Sequence, residues 1–227
     1  MAEAESPGIA GASMLKLLNW AYDKVASAIP GLGSAEEMAA HHLERNGHDR
    51  EKAIASLVAW QVGYAGAAGF VSNLGGLITL PIAVPANLAS VILIQMRMIA
   101  AIAHLRGYDA TDPKVRTLTF VCLTGRAGTS IMKEFGVSVG TRLTTTVLTR
   151  LSGASLGRIN QAVGFSLVAK AGTAGLLNMS RIVPLIGGLV SGSVDAATTR
   201  GIAGVARQMF PYVGREPFDI EGTIVQA

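Results

Sequence analysis

Between Lys52 and Arg97 the chain runs for 44 residues, Ala53 to Met96, without a formal charge. A hydrocarbon core is crossed by about 20 apolar residues in helical form. This stretch is twice that long, but Gly63, Gly66, Gly69, Gly75, Gly76, Pro81 and Pro85 punctuate it. Glycine and proline break or bend helices, so the run favours two shorter helices over one straight span. The pattern predicts two helices, over residues 53–73 and 86–106, joined by a Pro-containing turn. The second would be roughly 30 Å long at ~1.5 Å per residue. That length suits a membrane crossing, a dip into one leaflet, or burial inside a bundle. The sequence leaves all three open.

Composition narrows the fold class. Half of the 227 residues are apolar and 15% are charged, where about 25% is usual. Glycine supplies 27 positions, and aromatics only 5%. A chain rich in small and aliphatic residues but poor in aromatics suits helices that approach closely through small faces. It does not suit a β-sandwich, which needs alternating β-branched and aromatic residues. The expectation is an all-α helical bundle with Gly/Pro-interrupted apolar hairpins.

Punctuation divides the chain into an amphipathic helix and linker (1–32), a helical domain (33–213) and a polar tail (214–227) with few core positions, expected to be loose. Ser34 with Glu37 is a capping-box pattern, and Gly47 sits where the helix it opens should end. Asp49 suits the next helix start, and Thr111-Asp112-Pro113 the one after Asp109. Helices are then predicted over 113–134, 137–151 and 155–178, with a Pro-opened helix over 181–210. A shift of 103 residues superposes Pro81 on Pro184, Arg97 on Arg200, Ile99 on Ile202 and Ala103 on Ala206. Two pseudo-repeated halves would make Arg97 and Arg200 equivalent.

The chemistry-bearing patterns are few. Gly153–Gly157 reads G-x-S-x-G, but a nucleophile elbow needs a strand before it and a histidine after it. All four histidines, His41, His42, His48 and His104, precede Ser155. Glu37, His41, Glu44 and His48 have metal-ligand spacing, yet Gly47 should end the helix before His48, and no second helix completes the set. A solvent-facing helix is the simpler reading, and no metal or cofactor is expected. Gly136/Gly140, Gly153/Gly157 and Gly188/Gly192 are spaced for close helix contact. No phosphate-binding glycine loop or paired cysteine motif is present, and Cys122 stands alone. A charge inside an apolar helix is costly and seeks a partner or an interface. Gln95 and Arg97 are therefore the candidate ligand or partner site, with Asn87, Asp195 and Arg200 as associated residues.

Charge is unevenly spread. Residues 1–52 hold five basic and eight acidic side chains, and residues 97–215 hold fourteen basic and four acidic. The basic residues stand singly among Leu, Val, Gly and Thr, without interleaved aromatics. That favours an anionic leaflet, or simply a solvated face, over a nucleic-acid groove. The N-terminal MAEAESPG lacks a basic start and apolar run, so no signal peptide is expected.

Two blocks carry a family resemblance. One is GAAGFVSNLGGLITLPIAVPANLASVILIQMRMIAAIAHLRGYD followed by DPKVRTLTFVCLTG, and the other is RIVPLIGGLVSGSVDAATTRGIAGVARQMF. With Gly75-Gly76, Pro81, Pro85, Gln95, Arg97, Gly107-Tyr108-Asp109, Pro184, Gly187-Gly188 and Asp195 in this order, residues 33–210 resemble the EcsC family of bacteria. The resemblance implies an α-helical, hydrophobic protein of a family linked to an ABC-type exporter operon. It supplies no catalytic residues. Many relatives carry an acid near the Pro-flanked turn, where this chain has Ala83 and Asn87.

The leading expectation is a non-enzymatic, membrane-associated protein on the cytoplasmic side of the inner membrane. It would meet anionic lipids or a membrane complex such as a transporter, and homo-oligomers are compatible with its small-residue faces. The alternative is a soluble bundle that holds a lipid or other hydrophobic ligand among Gln95, Arg97 and Asp195. A hydrolase acting on lipid or peptide is the third.

Overall fold

The computed structural model describes residues 7–28, 33–65, 86–137, 151–171 and 188–213. These form eight α-helices: α1 (Pro7–Ala26), α2 (Ala35–Arg45), α3 (Arg50–Ala65), α4 (Ala86–Leu105), α5 (Pro113–Leu123), α6 (Arg126–Glu134), α7 (Gly153–Ala171) and α8 (Gly188–Met209). The described part is all-helical, as the composition implies.

Local chemistry sets the boundaries. At α2 the Ser34 hydroxyl accepts from the Glu37 N–H at 3.0 Å, and the Glu37 carboxylate accepts from the Ser34 N–H at 2.8 Å. This reciprocal capping satisfies two helix-start donors. Gly47, at φ +63°, turns the chain out of α2, and Asp49 accepts from the Lys52 N–H at 3.0 Å to open α3. Asp112 accepts from Lys114 N–H at 2.8 Å and precedes Pro113, which opens α5.

The predicted single helix over 113–134 is two helices. Thr124 closes α5 by donating to the Val121 carbonyl at 2.7 Å. Gly125 then takes φ +63°, ψ −132°, a backbone state open to glycine and strained for other residues. Gly128 lets α6 fold back: a Cβ there would stand 2.5 Å from the Val121 carbonyl oxygen. The predicted 137–151 helix and the 214–227 tail fall outside the described residues, as do the Pro81/Pro85 turn and residues 172–187.

Helix α4 is the hub. It packs against α1, α2, α3, α5 and α8. Leu93, Met96, Met98, Ile99 and Ile102 are essentially without solvent contact. A helix apolar on every side belongs in a core or a bilayer. From Ala89 onward the neighbouring helices cover most of α4, leaving Val91 and His104 exposed, so burial in a bundle is the outcome for the bulk of this helix. No helix among the described residues is long and apolar enough to cross a membrane. Each fully buried Leu, Ile, Met or Phe contributes roughly 1.5–3 kcal/mol, which makes this hub the main source of stability. Leu17 and Leu18 of α1, Ile54 and Leu57 of α3, and Leu118 and Phe120 of α5 complete it.

α4 and α8 run parallel, since Gln95 bonds Thr199 and, further along, the Arg106 carbonyl accepts from the Val213 N–H. α3 runs against both: Gln61 reaches the Ile94 carbonyl, and Glu51 reaches Arg106 and Tyr212. The shift of 103 carries Arg50 onto Gly153, the first residues of α3 and α7, and places α4 within the bounds of α8. The packing does not follow: α3 lies against α2, α4 and α8, whereas α7 lies against α1, α5 and α6. Arg97 is buried and Arg200 exposed, so their surroundings differ.

Of the spaced glycine pairs, Gly140 and the surroundings of Gly188 and Gly192 lie outside what the structure describes, and the other three glycines bring no helices together. Gly153 and Gly157 have open space around them, and Gly136 turns a loop at φ +76°. Contact instead runs through Gly11 and Gly164: a Cβ on Gly164 would stand 3.0 Å from the Gly11 carbonyl oxygen.

Candidate functional site

Gln95 and Arg97 are two residues apart on one helix, so they point about 200° apart around its axis. They serve two seams. On one side Gln95, 8% exposed, donates to the Thr199 hydroxyl of α8 at 2.8 Å. Its carbonyl oxygen is buried without a hydrogen-bond partner. Gln61 of α3, 2% exposed, reaches the Ile94 carbonyl at 3.4 Å. The α3–α4–α8 seam thus encloses amide and hydroxyl groups where an apolar core would be simpler. A buried amide oxygen left unbonded costs about 1–3 kcal/mol, a cost that a bound donor would remove.

On the other side Arg97, 9% exposed, lies near His42 of α2. The His42 ring is 3.1 Å from the Ser56 hydroxyl of α3 and 6.2 Å from the Trp60 ring. Burial pushes the His42 pKa down, and the charges of His41, Arg45 and Arg97 push the same way. The imidazole is therefore held neutral between the hydroxyl and the indole.

Arg200 is exposed on α8, beside Thr199. Asn87 falls in the first turn of α4, and Asp195 in α8 one turn before Thr199; their side chains lie outside the described residues. The structure thus joins Gln95 to α8 and separates it from Arg97.

The segment Gly107-Tyr108-Asp109 has a structural role. Gly107 takes φ +88°, packed against Val213. Tyr108 stacks edge-on to Phe210 at 5.1 Å, with its pKa raised to about 12 by burial, which Arg106 partly opposes. Asp109 accepts from the Thr111 N–H and hydroxyl at 2.7 and 2.8 Å. Nearby, Glu51 pairs with Arg106 at 2.7 Å and accepts from the Tyr212 hydroxyl at 3.0 Å, while the Arg106 guanidinium lies 4.0 Å over the Tyr212 ring. Sequence reading missed this clasp, because its members are distant in the chain.

Ser155 lies in the first turn of α7, with its hydroxyl 3.1 Å from that of Ser152, and helical backbone follows directly. Ser152 accepts from the Ser155 N–H at 3.2 Å, as a helix-start residue does. Glu37 is engaged in its capping box, and among the described residues no three His, Cys, Asp or Glu side chains converge on a metal-sized site.

Exposed cations stand along α6, α7 and α8. Arg126, Lys133, Arg158 and Arg200 are exposed. The ion pairs among the described residues are Lys52–Asp49, Arg106–Glu51 and Arg116–Asp23, which leaves those four out. Glu134, at the end of α6, is the one exposed acid among the described side chains of these three helices. Compared with protein-family models, curated proteins and solved structures, the chain matches none.

Proposed function

We propose that this chain is a non-enzymatic helical protein, of the EcsC-like kind its sequence resembles, that works against the cytoplasmic face of the inner membrane. It is held there by anionic lipid, as an accessory to a transporter or another membrane complex. The observation that carries this reading is the set of exposed cations on α6, α7 and α8 that are outside the ion pairs of the described residues. Each such cation contributes about 1 kcal/mol near an anionic leaflet. Cell fractionation at low salt tests it: the full chain is expected with the membranes and is released by high salt. Recovery wholly in the soluble fraction at low salt would end the proposal.

A second reading rests on the unbonded Gln95 carbonyl oxygen in the α3–α4–α8 seam. There the protein holds a lipid or other hydrophobic ligand whose hydroxyl or amide donates to Gln95. Mass spectrometry of protein purified without detergent would detect the co-purifying molecule, and a ligand-free, monodisperse sample would count against it. A hydrolytic activity lost in Ser155→Ala would overturn the non-enzymatic reading.

A further inference from the structure

We infer that α7 is the edge of the molecule that enters the bilayer interface, with Phe165 seated among acyl chains and Arg158 against anionic headgroups. This rests on the membrane reading above and deepens it by naming the surface.

α7 has two unlike faces. Ile159, Val163 and Gly164 turn inward and are buried. Ala154, Arg158, Gln161, Phe165 and Ala169 are exposed and recur every three or four residues, so they form one stripe along the helix. Phe165 is 49% exposed, one of the few large apolar side chains so open among the described residues. Its orientation is fixed by the tight approach of Gly164 to Gly11 next to it, with the Phe165 ring lying against Gly11. The ring therefore projects from a rigid junction of α1 and α7.

The charge on this helix has one sign: its sequence holds Arg158 and Lys170 and no Asp or Glu. Arg158 lies 5.8 Å over the Phe135 ring, close to the end of α6, where Lys133 and Glu134 are both exposed. An exposed aromatic two turns from an arginine, with no carboxylate on the helix, is the chemistry of an interfacial helix: an apolar wedge at acyl depth and cations at headgroup level. A single-stranded nucleic acid needs several aromatics along a continuous basic groove. α7 offers one exposed ring, half covered by α1, so the bilayer is the partner the observations favour.

The test is co-sedimentation of the full chain with vesicles of phosphatidylglycerol and phosphatidylcholine, at low and high salt. Wild type is expected to bind these and not pure phosphatidylcholine. Arg158→Glu is expected to lower the partition coefficient about tenfold or more at low salt, since about 1 kcal/mol per charge is at stake twice, and to have little effect at high salt. Phe165→Ser is expected to lower it about tenfold at both salts. Thermal melts check that both variants stay folded. If Phe165→Ser unfolds, Phe165→Trp replaces it, and its added emission should shift to the blue on vesicles and be quenched by brominated acyl chains.

Wild type that fails to bind anionic vesicles sinks this inference and the membrane reading together. Wild-type binding unchanged by both variants, or changed only by Arg158→Glu, refutes insertion through α7 and leaves the membrane reading standing. Capture of an oligonucleotide that is lost in Arg158→Glu and kept in Phe165→Ser would reassign the face to nucleic acid.

Discussion

His42 is held by the Ser56 hydroxyl, and the charged groups that reach it, His41 and Arg45 on α2 and Arg97 on α4, are all cationic or potentially so. Protonating it would add a buried cation to that set. The folded state keeps the ring neutral, so its folded pKa lies below the unfolded value of 6.5. The unfolded chain then binds the proton first, and stability falls as pH falls. The contribution of His42 is complete above about pH 6.5 and drains away below it until the folded pKa is passed. Urea midpoints measured from pH 7.5 down to pH 5 are expected to decline in wild type and to decline less in His42→Gln. Equal pH slopes in the two proteins would show that His42 is not the titrating group. Sequence reading weighed its neighbours His41 and His48 as metal ligands and gave His42 no role. Its actual surroundings come from α3 and α4, which no local pattern discloses.

The α5–α6 corner turns on two glycines that the helical periodicity of residues 113–134 hides. A Cβ on Gly128 would also meet the Thr124 hydroxyl and the Val121 side chain at 2.8 Å. Gly128→Ala is expected to destabilise by about 1–3 kcal/mol, the usual cost of overpacking. Gly157→Ala, on open helix with nothing within 4 Å, is expected to stabilise by about 0.5–1 kcal/mol. Chemical denaturation of the two variants decides the matter; equal effects would mean that helix propensity, not the corner, dominates at Gly128. Caps were legible because each needs only residues within one turn, as at Ser34/Glu37 and Asp112/Pro113. The corner was not, because both halves of 113–134 keep an apolar periodicity across it.

Across the whole molecule, α4 is wrapped by helices drawn from both ends of the chain. Its central amides should open only with global unfolding. Hydrogen exchange of the protein without lipid is expected to show the peptide covering Leu93–Ile102 as the slowest, and peptides from α7 as faster. Fast exchange in α4 would mean that its cover is loose and that the helix is available to a bilayer after all.

The sequence by itself determined that the chain is helical, where several helices begin, and that the segment ending at Arg97 must leave water. Those follow from propensity, capping and charge, which act between near neighbours. Only the tertiary structure decided what covers that segment, and that Gln95 and Arg97 look away from each other toward Thr199 and His42. It also decided that Gly11 and Gly164 meet and that Phe165 stays outside. The physical reason is that burial is non-directional and depends on partners scores of residues away. A local pattern can demand shelter for an apolar face but cannot name what provides it.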